Sequence, residues 1–185
     1  MIERRGRPAP YRGVRLELVR YLGWAYLLIT GWKLRGDWPA MPRAVLVAAP
    51  HTSNWDGINM LAAAAYFRVS VQWMGKESLT RGPFGWLVRA LGCVPIDRAQ
   101  RHDMVRAMVA QFAARPALLL LVPPEGTRSR RVEWKSGFYH IAYQAQVPII
   151  LTIMDYGTHT IRVAGPVDAS GDYERDLPVI RGAII

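Results

Sequence analysis

The sequence predicts an α/β domain: a mixed sheet flanked by helices, with an amphipathic helix suited to a membrane interface at the N-terminus. Three observations predict it. Short apolar runs of strand length alternate with helical periodicity from residue 44 to residue 163. His, Asp, Glu and Arg gather directly after those runs, where an α/β fold ends its strands. An uncharged run of twelve residues, Tyr21 to Trp32, stands between an arginine-rich stretch and the cations Lys33 and Arg35.

The elements follow in order. Residues 1–20 hold six arginines against Glu3 and Glu17. The apolar run after them is too short to span a bilayer, which takes about 20 apolar residues. Its exit, Trp32-Lys33-Leu34-Arg35, is a poor cleavage site for a signal peptide. Tyr, Trp and flanking cations suit a helix lying in the interface; the plainer reading is a helix packed on the domain. Residues 1–35 are therefore set apart as a basic segment and interface helix, and 36–185 as the main domain. Gly36 to Arg43 reads as a loop and Ala44 to Ala49 as a buried strand. Asp56 to Phe67, with its run of alanines, reads as a helix. Val69 to Met74 is a strand, Pro83 to Leu91 a short helix with proline in its first turn, and Cys93 to Ile96 an extended piece. In Asp103 to Ala114, apolar residues recur at helical spacing, and Asp103 can cap. Ala117 to Val122 reads as a central strand, Gly137 to Gln146 as a helix, Val147 to Met154 as a strand and Thr160 to Val163 as an edge strand. The tail beyond Pro166 has no readable pattern.

Composition narrows the classes of function. At 185 residues the chain is long enough for one well-cored domain. Its net charge is +10, and arginine supplies 21 of the 24 cationic side chains. Arginine is the better bidentate partner for phosphate, although an arginine-rich codon bias produces the same count. A single cysteine, Cys93, excludes an internal disulfide and a cysteine-cluster zinc site.

Three motifs carry chemistry. The first is His51-Thr52-Ser53-Asn54-Trp55-Asp56 at the end of a strand and the start of a helix. A carboxylate on one imidazole nitrogen fixes the tautomer and leaves the other nitrogen to accept a proton. About 0.2 such pairs arise by chance in this composition, so position rather than spacing gives the pair its weight. The second is Gly92-Cys93-Val94-Pro95-Ile96-Asp97-Arg98, where an arginine ends an extended piece; taken alone, a pair closing a turn explains it as well. The third is Pro124-Glu125-Gly126-Thr127-Arg128-Ser129-Arg130-Arg131. Gly126 lets backbone approach an anion, Thr127 and Ser129 offer hydroxyls, and Arg128 and Arg130 can clamp phosphate oxygens.

In this order and spacing, over residues 44 to 153, these blocks and the Val147-Pro148-Ile149 strand closely resemble the glycerolipid acyltransferases. The best-known members are the 1-acylglycerol-3-phosphate acyltransferases. The sequence looks like a divergent bacterial branch: Pro50 stands where the family often has Asn, and Pro123 replaces an aromatic. The resemblance implies an acyl-CoA or acyl carrier protein donor, a glycerol-phosphate or lysophospholipid acceptor, no metal or other cofactor, and no covalent acyl-enzyme. It also implies a peripheral protein on the cytoplasmic face of the inner membrane. His51 is then the general base with Asp56 holding it, and Arg98, Glu125, Gly126, Thr127, Arg128 and, more weakly, Arg130 form the acceptor site. Two other classes stay open. One is a thioester or ester hydrolase using the same pair to activate water. The other is a non-catalytic basic module for anionic lipid. A nucleic-acid binder would interleave aromatics with its cations along a groove, whereas here tryptophans concentrate near the N-terminus and arginines at strand ends.

Overall fold

The structure, a computed structural model, describes residues 14–49, 54–96, 104–125 and 134–182. A seven-stranded mixed sheet lies between two layers of helices. Its strands are β1 (Lys33–Arg35), β2 (Arg43–Ala49), β3 (Val71–Lys76), β4 (Cys93–Ile96), β5 (Leu118–Val122), β6 (Ile149–Asp155) and β7 (Thr160–Val167), in the spatial order β1-β7-β6-β2-β5-β3-β4. β6, β2, β5, β3 and β4 run parallel; β7 is antiparallel to β6 and parallel to β1.

β2 occupies the middle, and Ala44 to Ala49 are all buried. Successive side chains of a strand point to opposite faces, and β2 uses both. Val45 and Val47 face a cluster with Met108, Phe112, Phe138 and Ile141, from helices α5 (Met104–Ala114) and α6 (Gly137–Ala145). On the other face Ala44 and Leu46 pack with Ala64 and Phe67, and Ala48 packs with Leu27, Met60 and Ala63. These belong to α1 (Val14–Ile29) and to α2 (Asn54–Tyr66) with the residue after it. Two short helices, α3 (Ser78–Arg81) and α4 (Gly85–Ala90), connect β3 to β4.

The N-terminal helix is fastened to α2 along its length. At the crossing there is room only for glycine: a Cβ on Gly23 would lie 2.6 Å from the Ala62 carbonyl oxygen and 2.9 Å from Ala65 Cβ. At one end Glu17 accepts two hydrogen bonds from the Arg68 guanidinium, the Nη2 bond at 3.1 Å and the other through Nε. Arg68 ends α2 with φ +57, a left-handed position usually given to glycine; the ion pair offsets that strain. At the other end Tyr26 Oη donates to Asn59 at 2.9 Å. Gly31, with φ +74, then turns the chain, and the Trp32 amide closes on Leu27 O at 2.8 Å.

Three differences from the sequence-based reading have physical causes. The segment set apart as 1–35 ends in β1, which joins the sheet beside β7; three residues are too few to show a strand period. β7 is consequently covered, and β1 forms the edge. The tail beyond Pro166 completes β7 and forms α7 (Tyr173–Gly182). Pro178 and four charged residues break its apolar pattern, yet Ile180 is wholly buried in the α5/α6 cluster. α7 is held by Asp176, whose carboxylate accepts from Tyr139 Oη at 2.6 Å, Ser170 N at 2.7 Å and Ser170 Oγ at 2.9 Å. These bonds, the Tyr139 hydroxyl first, hold the Asp176 pKa below its usual value. The Asp103 cap lies outside the described residues.

Two outcomes are expected. Gly23→Val should cost about 1–3 kcal/mol in urea unfolding, the usual range for overpacking, because α1 must lift off α2. Tyr139→Phe should cost about 1.5–3 kcal/mol at neutral pH, through loss of a hydrogen bond to a charged group. Since the folded-state pKa of Asp176 is lowered, its contribution is present above the unfolded-state pKa and lost as pH falls through the folded one. The gap between wild type and Tyr139→Phe should therefore shrink below about pH 4.

Candidate active site

Five parallel strands deliver the chain to one edge of the sheet. Val47 of β2 pairs with Val122 of β5, Ala49 of β2 with Ile153 of β6, and Lys76 of β3 with Ile96 of β4. At this edge β2 ends two residues before His51, β4 two residues before Arg98, and β5 three residues before Glu125. His51, Arg98, Gly126, Thr127, Arg128 and Arg130 themselves lie outside the described residues. What the structure shows is the ground from which each departs, and where Asp56 and Glu125 stand.

Asp56 sits in the first turn of α2 with 0% exposure. A carboxylate there is favoured by the helix dipole, but a buried one also needs hydrogen bonds. One comes from Tyr156, whose hydroxyl donates to Asp56 Oδ1. Tyr156 follows β6 directly, in the turn before β7. Its ring meets Trp32 edge-on, centroids 5.1 Å apart at 83°, and Trp32 stacks on His159 at 5.2 Å. Asn59, one turn beyond Asp56 on α2, is held by the Tyr26 hydroxyl. Burial pushes the Tyr26 phenol up, so it keeps the proton it donates.

Glu125 is 4% exposed at the base of the arginine-bearing loop. That base is closed: the Lys135 amide donates to Pro124 O at 2.8 Å, so the segment leaving β5 returns beside its origin. Trp134 packs edge-on against Phe138, and the Arg181 guanidinium lies 5.3 Å from its ring centroid. The return side of the loop is thus anchored to α6 and α7. A buried carboxylate here is suited to orienting a cation rather than repelling an anion.

Cys93 stands apart from this chemistry. It is buried on β4, and burial pushes its thiol up against weaker lowering by the Gly75 backbone and Arg89. A thiol held that way is a poor nucleophile. A groove of about 500 Å³, lined by Tyr143, Gln146, Pro148 and Asp168 among others, lies at the opposite end of the sheet, before β6 begins.

Reading the sequence missed Tyr156, Trp32, Tyr26 and Asn59. Tyr26 and Trp32 fall in the run assigned to a membrane interface, but Trp32 is buried and Tyr26 turns to Asn59. Tyr156 and Asn59 are unremarkable in their own stretches, and only the strand order brings the turn after β6 beside the start of α2.

Known proteins share parts of this sequence, and one solved structure shares the fold. The acyltransferase family model matches residues 36–154. The 1-acyl-sn-glycerol-3-phosphate acyltransferase alpha of Mus musculus is 29% identical over 159 residues, covering 75% of this chain and 55% of that protein. The 1-acyl-sn-glycerol-3-phosphate acyltransferase of Limnanthes douglasii is 29% identical over 161 residues, covering 82% and 56%. The chain thus spans about half the length of these curated relatives. The crystal structure of the 1-acyl-sn-glycerophosphate acyltransferase PlsC from Thermotoga maritima superposes with a TM-score of 0.67 at 20% identity, over 92% of this chain and 76% of that one, and so shares the fold. With a family model matched from the loop before β2 to the penultimate residue of β6, the chain belongs to the acyltransferase family.

Proposed function

We propose that the protein transfers an acyl group from an acyl thioester, acyl-CoA or acyl carrier protein, to a hydroxyl of a glycerol-phosphate or lysophospholipid. The observation that carries this reading is the pairing of β2 with β5. It brings the ends of the strands that precede His51 and the arginine-rich segment to one edge, the edge at which Asp56 is buried. In this reading a base and a phosphate clamp work at that edge, which suits an acceptor that carries hydroxyl and phosphate a few bonds apart.

In the proposed reaction His51 takes the proton of the acceptor hydroxyl, whose oxygen attacks the thioester carbonyl. Asp56 holds the imidazole and stabilises the imidazolium. In this reading amides at the start of α2 receive the oxyanion. Collapse breaks the C–S bond, the ester C–O bond remains, and the proton passes from His51 to the departing thiolate. Arg98 and Arg128 bind the acceptor phosphate, Gly126 and Thr127 bring backbone and hydroxyl donors, and Glu125 orients the arginines. Arg130 reinforces the clamp.

A lipid acceptor fits the outer surface. No described helix is long and apolar enough to cross a membrane. Yet α1 turns Leu22, Leu28 and Ile29 outward, exposed by 71%, 64% and 84%. Trp55 beside Asp56, and Phe84 and Trp86 around α4, are exposed as well. Aromatic and aliphatic side chains among arginines suit an anionic interface. Peripheral attachment at the cytoplasmic face of an inner membrane is the location this reading proposes.

Two experiments test it. With labelled acyl-CoA and a panel of lysolipids, products identified by mass, His51→Ala should lower turnover by at least about 10²-fold while the protein stays folded. Near-normal transfer would sink the base assignment, and free fatty acid formed without an acceptor would point to hydrolysis. Deleting residues 1–35 would strip α1 off α2, so the membrane role needs surface changes instead. Leu22→Glu with Leu28→Glu and Ile29→Glu should reduce sedimentation with anionic liposomes and leave the melting temperature near that of wild type. Undiminished sedimentation would refute docking through α1.

A further inference from the structure

We infer that Tyr156 is a positioning residue for the Asp56 carboxylate, held in place by Trp32 at the foot of the N-terminal helix. This rests on the proposed roles of His51 and Asp56 and adds a residue to them. A carboxylate offers several acceptor directions, and which of them faces the imidazole depends on how the group is turned. The Tyr156 hydroxyl occupies Oδ1. Because it comes from another element, it fixes the carboxylate against the frame of the sheet and not only against α2.

Tyr156 can do this only if it is itself fixed, and it is fixed from two sides. Behind it, Asp155 ties the turn: its carboxylate accepts from the Gly157 amide at 2.8 Å and the Thr158 hydroxyl at 2.6 Å. Beside it, the edge-on contact with Trp32 sets the plane of the phenol ring. Trp32 is 8% exposed, stacks on His159 of the same turn, and is flanked by backbone bonds from its own amide to Leu27 O and from the Lys33 amide to His159 O, each 2.8 Å. His159 holds φ +50, a conformation that an ordinary residue keeps only where its surroundings demand it. The result is one chain of contact: α1, Trp32, Tyr156, Asp56. With Tyr26 on Asn59, the end of α1 grips the first two turns of α2 at two places. The helix that faces outward is therefore part of the scaffold that aims the aspartate.

Tyr156→Phe tests this, because it keeps the ring against Trp32 and deletes only the hydroxyl. With acyl-CoA and 1-acylglycerol-3-phosphate as probes, kcat should fall about 10-fold or more, the usual scale for partners that orient a reacting group through another residue. KM for both substrates should stay within about twofold, since ground-state binding is untouched. The melting temperature should fall, as a hydrogen bond to a buried carboxylate is lost, but the variant should be folded at the assay temperature by circular dichroism. In an Asp56→Asn background the same change should cost no more than about twofold, because residues acting as a unit are not additive. Trp32→Leu should lower kcat in the same sense. A Tyr156→Phe enzyme with wild-type kcat overturns the inference, as does a kcat loss that is multiplied in full in the Asp56→Asn background. His51→Ala and Asp56→Asn measured alongside separate the two levels. If both are crippled and Tyr156→Phe is not, only this inference fails; if either retains wild-type turnover, the underlying reading fails and this one with it.

Discussion

Everything at the candidate site depends on β2 being buried on both faces and hydrogen-bonded on both sides. A strand in the middle of a sheet has no freedom of register: a slip of one residue would turn Val45 and Val47 toward α1 and α2, and Leu46 toward α5 and α6. With β2 locked, the strand must end at Ala49, two residues before His51, and α2 must begin where the Asp56 carboxylate is enclosed. β5 and β6 on either side, parallel to β2, inherit the same edge. The positions of Asp56 and Glu125 thus follow from strand pairing, and the parallel direction of five strands brings the ends of β2, β4 and β5 to one side.

The second constraint is the closeness of α1 to α2. Alanines 62 to 65 and Gly23 let the two backbones approach, and the polar ties Glu17–Arg68 and Tyr26–Asn59 set the helices lengthwise. Small residues alone would permit sliding; the two ties at opposite ends remove it. An element that looks like an appendage in the sequence is in this way as much a wall of the domain as α5 or α6. Its outward apolar side chains project from a body that is already fixed.

Much of the fold could be read before the structure. β2, β5 and β6 are continuous apolar runs, and α2, α5 and α6 keep helical spacing, so their types were plain and their ends fell within two residues. What escaped had too little signal or a non-local one. β1 is three residues long, and α7 is mostly polar with an internal proline; each is stabilised by a surface supplied from elsewhere. The site divides the same way. Asp56 and Glu125 could be named because their motifs are local, and the structure buries both. Tyr156 could not, since its partner is 100 residues away in sequence and no period links them.

The two edges of the sheet have a consequence of their own. A strand edge is a template for another chain, and among the described residues the sheet ends in β1 and β4. β1 is three residues long with Lys33 and Arg35 exposed at its ends. β4 is four residues long, and its Pro95 is exposed and has no amide hydrogen to offer. Both edges are thus poor places to add a strand. A molecule that carries bare tryptophan, phenylalanine and leucine on its helices, as this one does, would be prone to disordered clumping if its borders also invited pairing. Here adhesion is confined to side chains, and the backbone gives a second copy little to grip.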